Sequence, residues 1–143
     1  MIHFPYQLSI MSLFEQYAMG IPILVPSPEF LWELHDAHDI VTERTWHRVR
    51  SGSRPSLSNI PGVSAGEHDP NDDISKDAFL HWIKYGDFYQ WKYVVQFSSW
   101  DDLRSKVETV QWHDVSHKML IYARARIAET REKLMQLLWS EVY

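Results

Sequence analysis

The amino-acid sequence predicts an α/β fold: a partial Rossmann-like parallel sheet flanked by helices, with a long C-terminal helix. Three observations predict it. Apolar residues at Ile10, Leu13, Phe14, Tyr17 and Ala18 make a helical stripe. The run "IPILV" (Ile21–Val25) is continuously apolar, as strands buried on both faces of a parallel sheet are. Strand-like and helix-like segments also alternate through the first 35 residues, an order that calls for parallel strands joined by helical crossovers.

Taken in order, "IHFPYQ" (Ile2–Gln7) is apolar and aromatic and reads as a short strand. The helix that follows has Ser9 in a position to cap it and Gly20 in a position to end it. After the strand Ile21–Val25 comes "PSPEFLWELH", with Ser27 as N-cap, Pro28 at the first helical position and Glu29 in the first turn. From Ser51 to Ser75, 17 of 25 residues are Ser, Gly, Pro, Asn or Asp. Such a stretch has too little apolar area to offset its ordering entropy, so a flexible loop is expected over 51–75. "KDAFLHWIKYGDF" reads as a short amphipathic helix ending near Gly86, and "YVVQF" (Tyr93–Phe97) as a further strand. "SSWDDLRSKVETV" opens on a helix start, with Ser99 as cap and Asp101 and Asp102 in the positive first turn. From Asp114 to about Trp139 one long helix is expected: Leu120, Ile127 and Leu134 recur every seven residues, with Ile121, Ala128 and Met135 beside them. Glu129 and Lys133 add an i,i+4 pair on a solvated side.

At 143 residues and 17.0 kDa the chain reads as a single α/β unit over 1–143. Its 45% hydrophobic and 23% charged content is that of an ordinary soluble globular protein. A net charge of −5 argues against a nucleic-acid partner, since neutralising phosphates requires a basic surface. The lack of Cys rules out a disulfide framework and thiolate zinc sites, and suits a reducing, cytoplasmic setting. Apolar runs are too short to span a bilayer, and no cationic leader is visible.

The stretch "SIMSLFEQYAMGIPILVPS" (Ser9–Ser27) carries one carboxylate, Glu15, in an otherwise largely apolar helix. A helix beginning just after a strand offers unpaired N–H groups and positive partial charge, a natural seat for a diphosphate. Glu15 lies one turn beyond Met11 and shares a face with Ser12, so it can look back toward that seat. An ionised carboxylate only accepts hydrogen bonds, and a ribose offers two adjacent hydroxyl donors.

"FEQYAMGIPILVPS" resembles the donor-site segment of GT-B-fold glycosyltransferases, in which a Glu is followed by x-x-Ala-x-Gly-x-Pro and a β-branched strand; Glu15, Ala18, Gly20 and Pro22 keep that step. The resemblance implies that Glu15 binds the ribose of a nucleotide sugar and that backbone amides near Ile10 and Met11 hold the phosphates; the neighbouring Ser9 and Ser12 hydroxyls are further candidates for the diphosphate on this chain's own sequence. It places Gln7 against the transferred sugar. Where the family has an acid at that position, this chain has Gln, which can hydrogen-bond sugar hydroxyls but brings no charge to a developing oxocarbenium ion. "LSIM" also replaces the family's glycine-rich link. The later "VVQFSSWDDLRSKVE" and the long helix resemble the last strand and closing helices of that fold. The implied function is the nucleotide-sugar-binding portion of a glycosyltransferase, metal-independent, using a nucleoside-diphosphate sugar as substrate. No catalytic residue is implied. The chain would start midway through the second of two Rossmann-like halves, so its partner is expected to be a missing N-terminal half or a second copy. The alternative is a non-catalytic interaction module built on the same scaffold.

Other motifs carry less. His113 and His117 are i,i+4, and His35 and His38 are i,i+3 beside Asp36 and Asp39, but neither pair brings the third protein ligand a zinc site requires. Surface pairs are expected, and no metal. "RVRSGSRP" (Arg48–Pro55) reads as an exposed basic loop, or as a lid over a diphosphate. No nucleophile elbow and no P-loop occurs.

Overall fold

A computed structural model describes residues 1–52 and 68–140. Its elements, in chain order, are α1 (Met11–Ala18), β1 (Leu24–Pro26), α2 (Pro28–His38), α3 (Trp46–Ser51), α4 (Lys76–Ile83), α5 (Asp87–Gln90), β2 (Val95–Phe97), α6 (Trp100–Thr109) and α7 (Trp112–Ser140). The class is the expected one: a parallel sheet flanked by helices and a long terminal helix.

β1 and β2 run parallel, with Leu24 opposite Val95 and Pro26 opposite Phe97. Ile2 adds a parallel bridge to Leu24. Leu24 takes its N–H to the Met1 carbonyl and its carbonyl to the His3 N–H, while the Ile23 carbonyl and the Ser27 N–H are bonded to β2. β1 is therefore the central line of the sheet. Its side chains alternate as a doubly covered strand requires. Ile23 and Val25 pack with Leu13, Tyr17, Phe88 and Met119 on one face, and Leu24 packs with Phe30 and Phe97 on the other. A third cluster, Leu31, Trp32, Val41, Phe79 and Ile83, joins α2 to α4.

The expected strand over Ile2–Gln7 shrinks to that one bridge. Pro5 has no N–H to give a ladder, and Phe4 turns instead to pack its ring on Phe97 and Trp100. The next strand starts at Leu24 rather than Ile21, because Gly20 and Ile21 are still closing α1. Gly20 adopts φ +69°, and the Gly20 and Ile21 N–H groups return to Tyr17 and Gln16 carbonyls, the Schellman arrangement that favours glycine. β2 likewise starts late: Tyr93 holds φ +67°, a left-handed conformation no strand contains.

Ser27 and Ser99 cap α2 and α6 as expected, their Oγ atoms accepting the Phe30 and Asp102 N–H groups. Ser9 does not cap α1. The N-cap is Ile10, which makes no side-chain cap bond; its side chain packs against the Leu13–Tyr17 cluster, so apolar burial rather than a hydroxyl sets where this helix starts. The expected helix from Lys76 divides at Gly86, which caps α5. Of the expected loop over 51–75, Ser51 ends α3, residues 53–67 lie outside the described residues, and the remainder is turn built on Asp69 and Asp72 side chains.

Candidate functional site

α1 has two faces. The inner one, Leu13 and Tyr17, is fully buried. The Tyr17 hydroxyl donates to the Lys92 carbonyl at 2.5 Å, and its ring meets Trp91 edge-on at 4.7 Å. Burial, with Tyr122 and Tyr93 nearby, holds the Tyr17 phenol well above its ordinary pKa. This anchor fixes α1 to the segment between α5 and β2, while the Tyr17 ring also meets Tyr122 of α7 edge-on and Met119 and Ala123 of α7 are buried in the same cluster. At Gly20 the fit is closest: a Cβ there would come within 2.7 Å of Leu120 Cγ.

The outer flank of α1 and the distal half of α7 enclose a groove of about 780 Å³. Phe14, Glu15, Ala18 and Trp91 form one wall. Arg126, Ile127, Arg131, Leu134 and Leu138 line the other. The lining is thus apolar and aromatic, with one carboxylate and two guanidiniums.

Of the six residues expected to bind a donor, only Glu15 lines this groove. Met11 is 78% exposed one turn before it. Ser12 is half-buried, and Ser9 is exposed. Ile10 faces the core. Gln7 Nε2 lies 3.3 Å from the Tyr6 hydroxyl. The six therefore form a line along one helix and the segment before it, not the wall of a single cavity. The amino end of α1 carries no acidic residue in its first turn and no side-chain cap, so its positive end is not neutralised locally. This end lies close to the carboxyl edge of the sheet. The Leu8 carbonyl accepts the Asp87 N–H, and the Tyr89 hydroxyl donates to the Pro26 carbonyl, so the short helix α5 touches both.

The histidine pairs do not gather into a metal site. His35 is buried, its ring stacked on Phe79 and its Nδ1 accepting the Val41 N–H. His38, His113 and His117 are exposed. Among the described residues no three His, Cys, Asp or Glu side chains are grouped so as to hold a metal. No helix among them is long and apolar enough to cross a membrane.

Two clusters escaped the sequence reading. The first corrects the reading of Arg48–Pro55 as an exposed basic loop. Arg48 sits in α3 and is buried, ion-paired to Asp39 and, at 3.1 Å, to Asp73. Arg44 meets Asp73 at 2.6 Å with both side chains fully buried, and also donates to the Asp72 carbonyl. The i,i+4 spacing of Arg44 and Arg48 was a readable hint; their acid, across a long Gly- and Pro-rich stretch, was not. Residues 53–55 lie outside the described ones. The second cluster is a stacked imidazole pair, His68 over His81 at 4.2 Å, with burial and the His68 ring holding His81 below its ordinary pKa.

Comparison with protein-family models, with curated proteins and with solved structures finds no match to this chain.

Proposed function

We propose that the chain is the nucleotide-sugar-binding portion of a glycosyltransferase that takes its sugar from a nucleoside-diphosphate donor. The observation that carries this reading is the parallel crossover from Ile2 through α1 to β1, whose uncapped helix start lies by the carboxyl edge of the strands, where open α/β sheets take their ligands. The Ile10 and Met11 region would supply amides to the diphosphate. Glu15, four residues on and so about 6 Å along the axis, would take the ribose hydroxyls. Phe14 and Trp91 offer flat faces beside it, and Gln7 would meet the sugar. With the helix start supplying the positive field, this binding mode needs no metal.

A hydrogen bond to a charged group is typically worth roughly 1.5–3 kcal/mol. Replacing Glu15 by Ala should therefore weaken nucleotide binding by about tenfold to a hundredfold. Calorimetry with UDP and GDP on both proteins measures this; equal affinities would remove Glu15 from the site.

A second reading is a non-catalytic interaction module on the same scaffold, favoured by the uncovered apolar face of the distal half of α7, where Ile127, Leu134 and Leu138 are each more than half exposed. A thermal-shift panel of nucleotide sugars separates the two. A ligand at 100 times its dissociation constant adds about 2.7 kcal/mol, a shift of several degrees at this size. No shift with any of them leaves the interaction reading standing.

A further inference from the structure

The seven-residue recurrence on α7 continues beyond the body of the protein. Its first members are covered: Ala123 is buried against α1, and Leu120 packs beneath Gly20. The next are not. Ile127 is 62% exposed, Leu134 55%, Leu137 63% and Leu138 65%. The seam that α1 occupies thus runs on, with Thr130 as a polar member, into open groove. With Leu120, Ile127 and Leu134 as the first position of each heptad, Ala123, Thr130 and Leu137 are the fourth.

The flanks of that seam settle what can lie on it. Arg124 and Arg131 fall on one flank, and Arg126 and Lys133 on the other. The acids of this stretch, Glu129 and Glu132, fall further round. Glu129 bonds Arg126 at 3.0 Å and Lys133 at 2.6 Å along its own helix. A second copy of α7 laid on the seam, parallel or antiparallel, would set cation against cation along its flanks, an arrangement that rejects self-pairing. The complementary occupant has the same apolar seam and anionic flanks.

We infer that the groove between α1 and the distal half of α7 is the docking site for an amphipathic helix of another protein whose apolar stripe is flanked by Asp and Glu. The incoming helix lies on Ile127, Leu134 and Leu138, with Phe14, Glu15 and Ala18 on its far side, and its carboxylates face Arg124 and Arg131, since Arg126 is already bonded to Glu129. This extends the interaction reading and requires no nucleotide, so a silent thermal-shift panel and a failed peptide assay are separate outcomes.

The test uses the full chain and two labelled synthetic helical peptides with the same leucine seam, one flanked by Glu and one by Lys, followed by fluorescence anisotropy. The Glu-flanked peptide should bind roughly tenfold or more tightly at low salt, an advantage that fades as salt rises. Leu134→Asp, at an exposed position, should abolish binding with an unchanged circular dichroism spectrum. The pair Arg124→Glu and Arg131→Glu should reverse the preference. Equal binding of the two peptides, or binding of neither, overturns the proposal. So does a concentration-dependent dimer in ultracentrifugation that Leu134→Asp removes, which would make a second copy the occupant. Binding to vesicles of phosphatidylcholine with phosphatidylserine without any peptide preference would assign the groove to a lipid surface instead.

Discussion

Asp73 is held between two guanidiniums at full burial, Arg44 Nε at 2.6 Å and Arg48 Nη1 at 3.1 Å. Such an arrangement adds little net stability over a well-packed apolar equivalent, because three charges have been desolvated to make it. Breaking it is another matter. Asp73→Ala would leave Arg44 buried with its principal counter-ion gone and its guanidinium over the Phe79 ring, at a cost of about 3–5 kcal/mol. Urea unfolding of the two proteins measures the difference, and a loss below about 1 kcal/mol would mean that the pair is open to water in solution. The sequence could not have shown this, since the bonds from Arg44 and Arg48 to Asp73 span 29 and 25 residues. What was legible at single residues was local: Ser27 as a cap, whose partner lies three residues away, and Gly20 as a terminator, whose left-handed turn is decided within one helix end.

Elements were legible where one local rule acted alone. Ser27 and Ser99 each precede a helix with acids in its first turn, and each caps it. At α1 two rules compete. Ser9 has the better capping chemistry, but Ile10 is claimed by the core, and the helix starts after Ile10. A direct comparison follows. Ser27→Ala and Ser99→Ala should each lower unfolding free energy by about 1 kcal/mol. Ser9→Ala, exposed and outside the cap, should change it by less than about 0.5 kcal/mol. Denaturation of the three variants checks the contrast; a Ser9 effect equal to the others would return the cap to Ser9. The first strand is shorter than its apolar character predicts, because Pro5 has no N–H to give a ladder. α3 was missed because its six residues are too few to show a helical periodicity, although Thr45 caps its start and Gly52 its end; the ion pairs from Arg48 to Asp39 and Asp73 that hold it down are not local. The six expected donor residues were readable as a spacing. Where their side chains go was not, since Ile10 answers to the core and Glu15 to a groove that α7 completes from the far end of the chain.

On the scale of the whole molecule, α7 is two structures in one helix. Up to Ala123 it belongs to the core: Met119 is fully buried and Ala123 nearly so. From Arg124 to Trp139 no residue is buried. A helix of about 12–15 residues is marginal by itself in water, because its first turn must fix several residues for a single hydrogen bond. The distal part therefore draws its order from the segment it continues, and adds little in return. Two changes should separate the halves. Ending the chain after Arg126 removes side chains that are all exposed among those described, 127–139, and should alter unfolding free energy by about 0.5 kcal/mol or less. Met119→Ala, a single substitution in the proximal half, should cost about 2–5 kcal/mol. Hydrogen exchange on the intact chain gives the same partition without mutation: amides through Ala123 should exchange near the global unfolding limit, and those past Ile127 far faster, as fraying helix ends do. Should the shortened chain lose as much stability as Met119→Ala, or the distal amides prove equally protected, the outer half of α7 is already covered in the free protein. The groove beside it would then be filled rather than waiting for a partner.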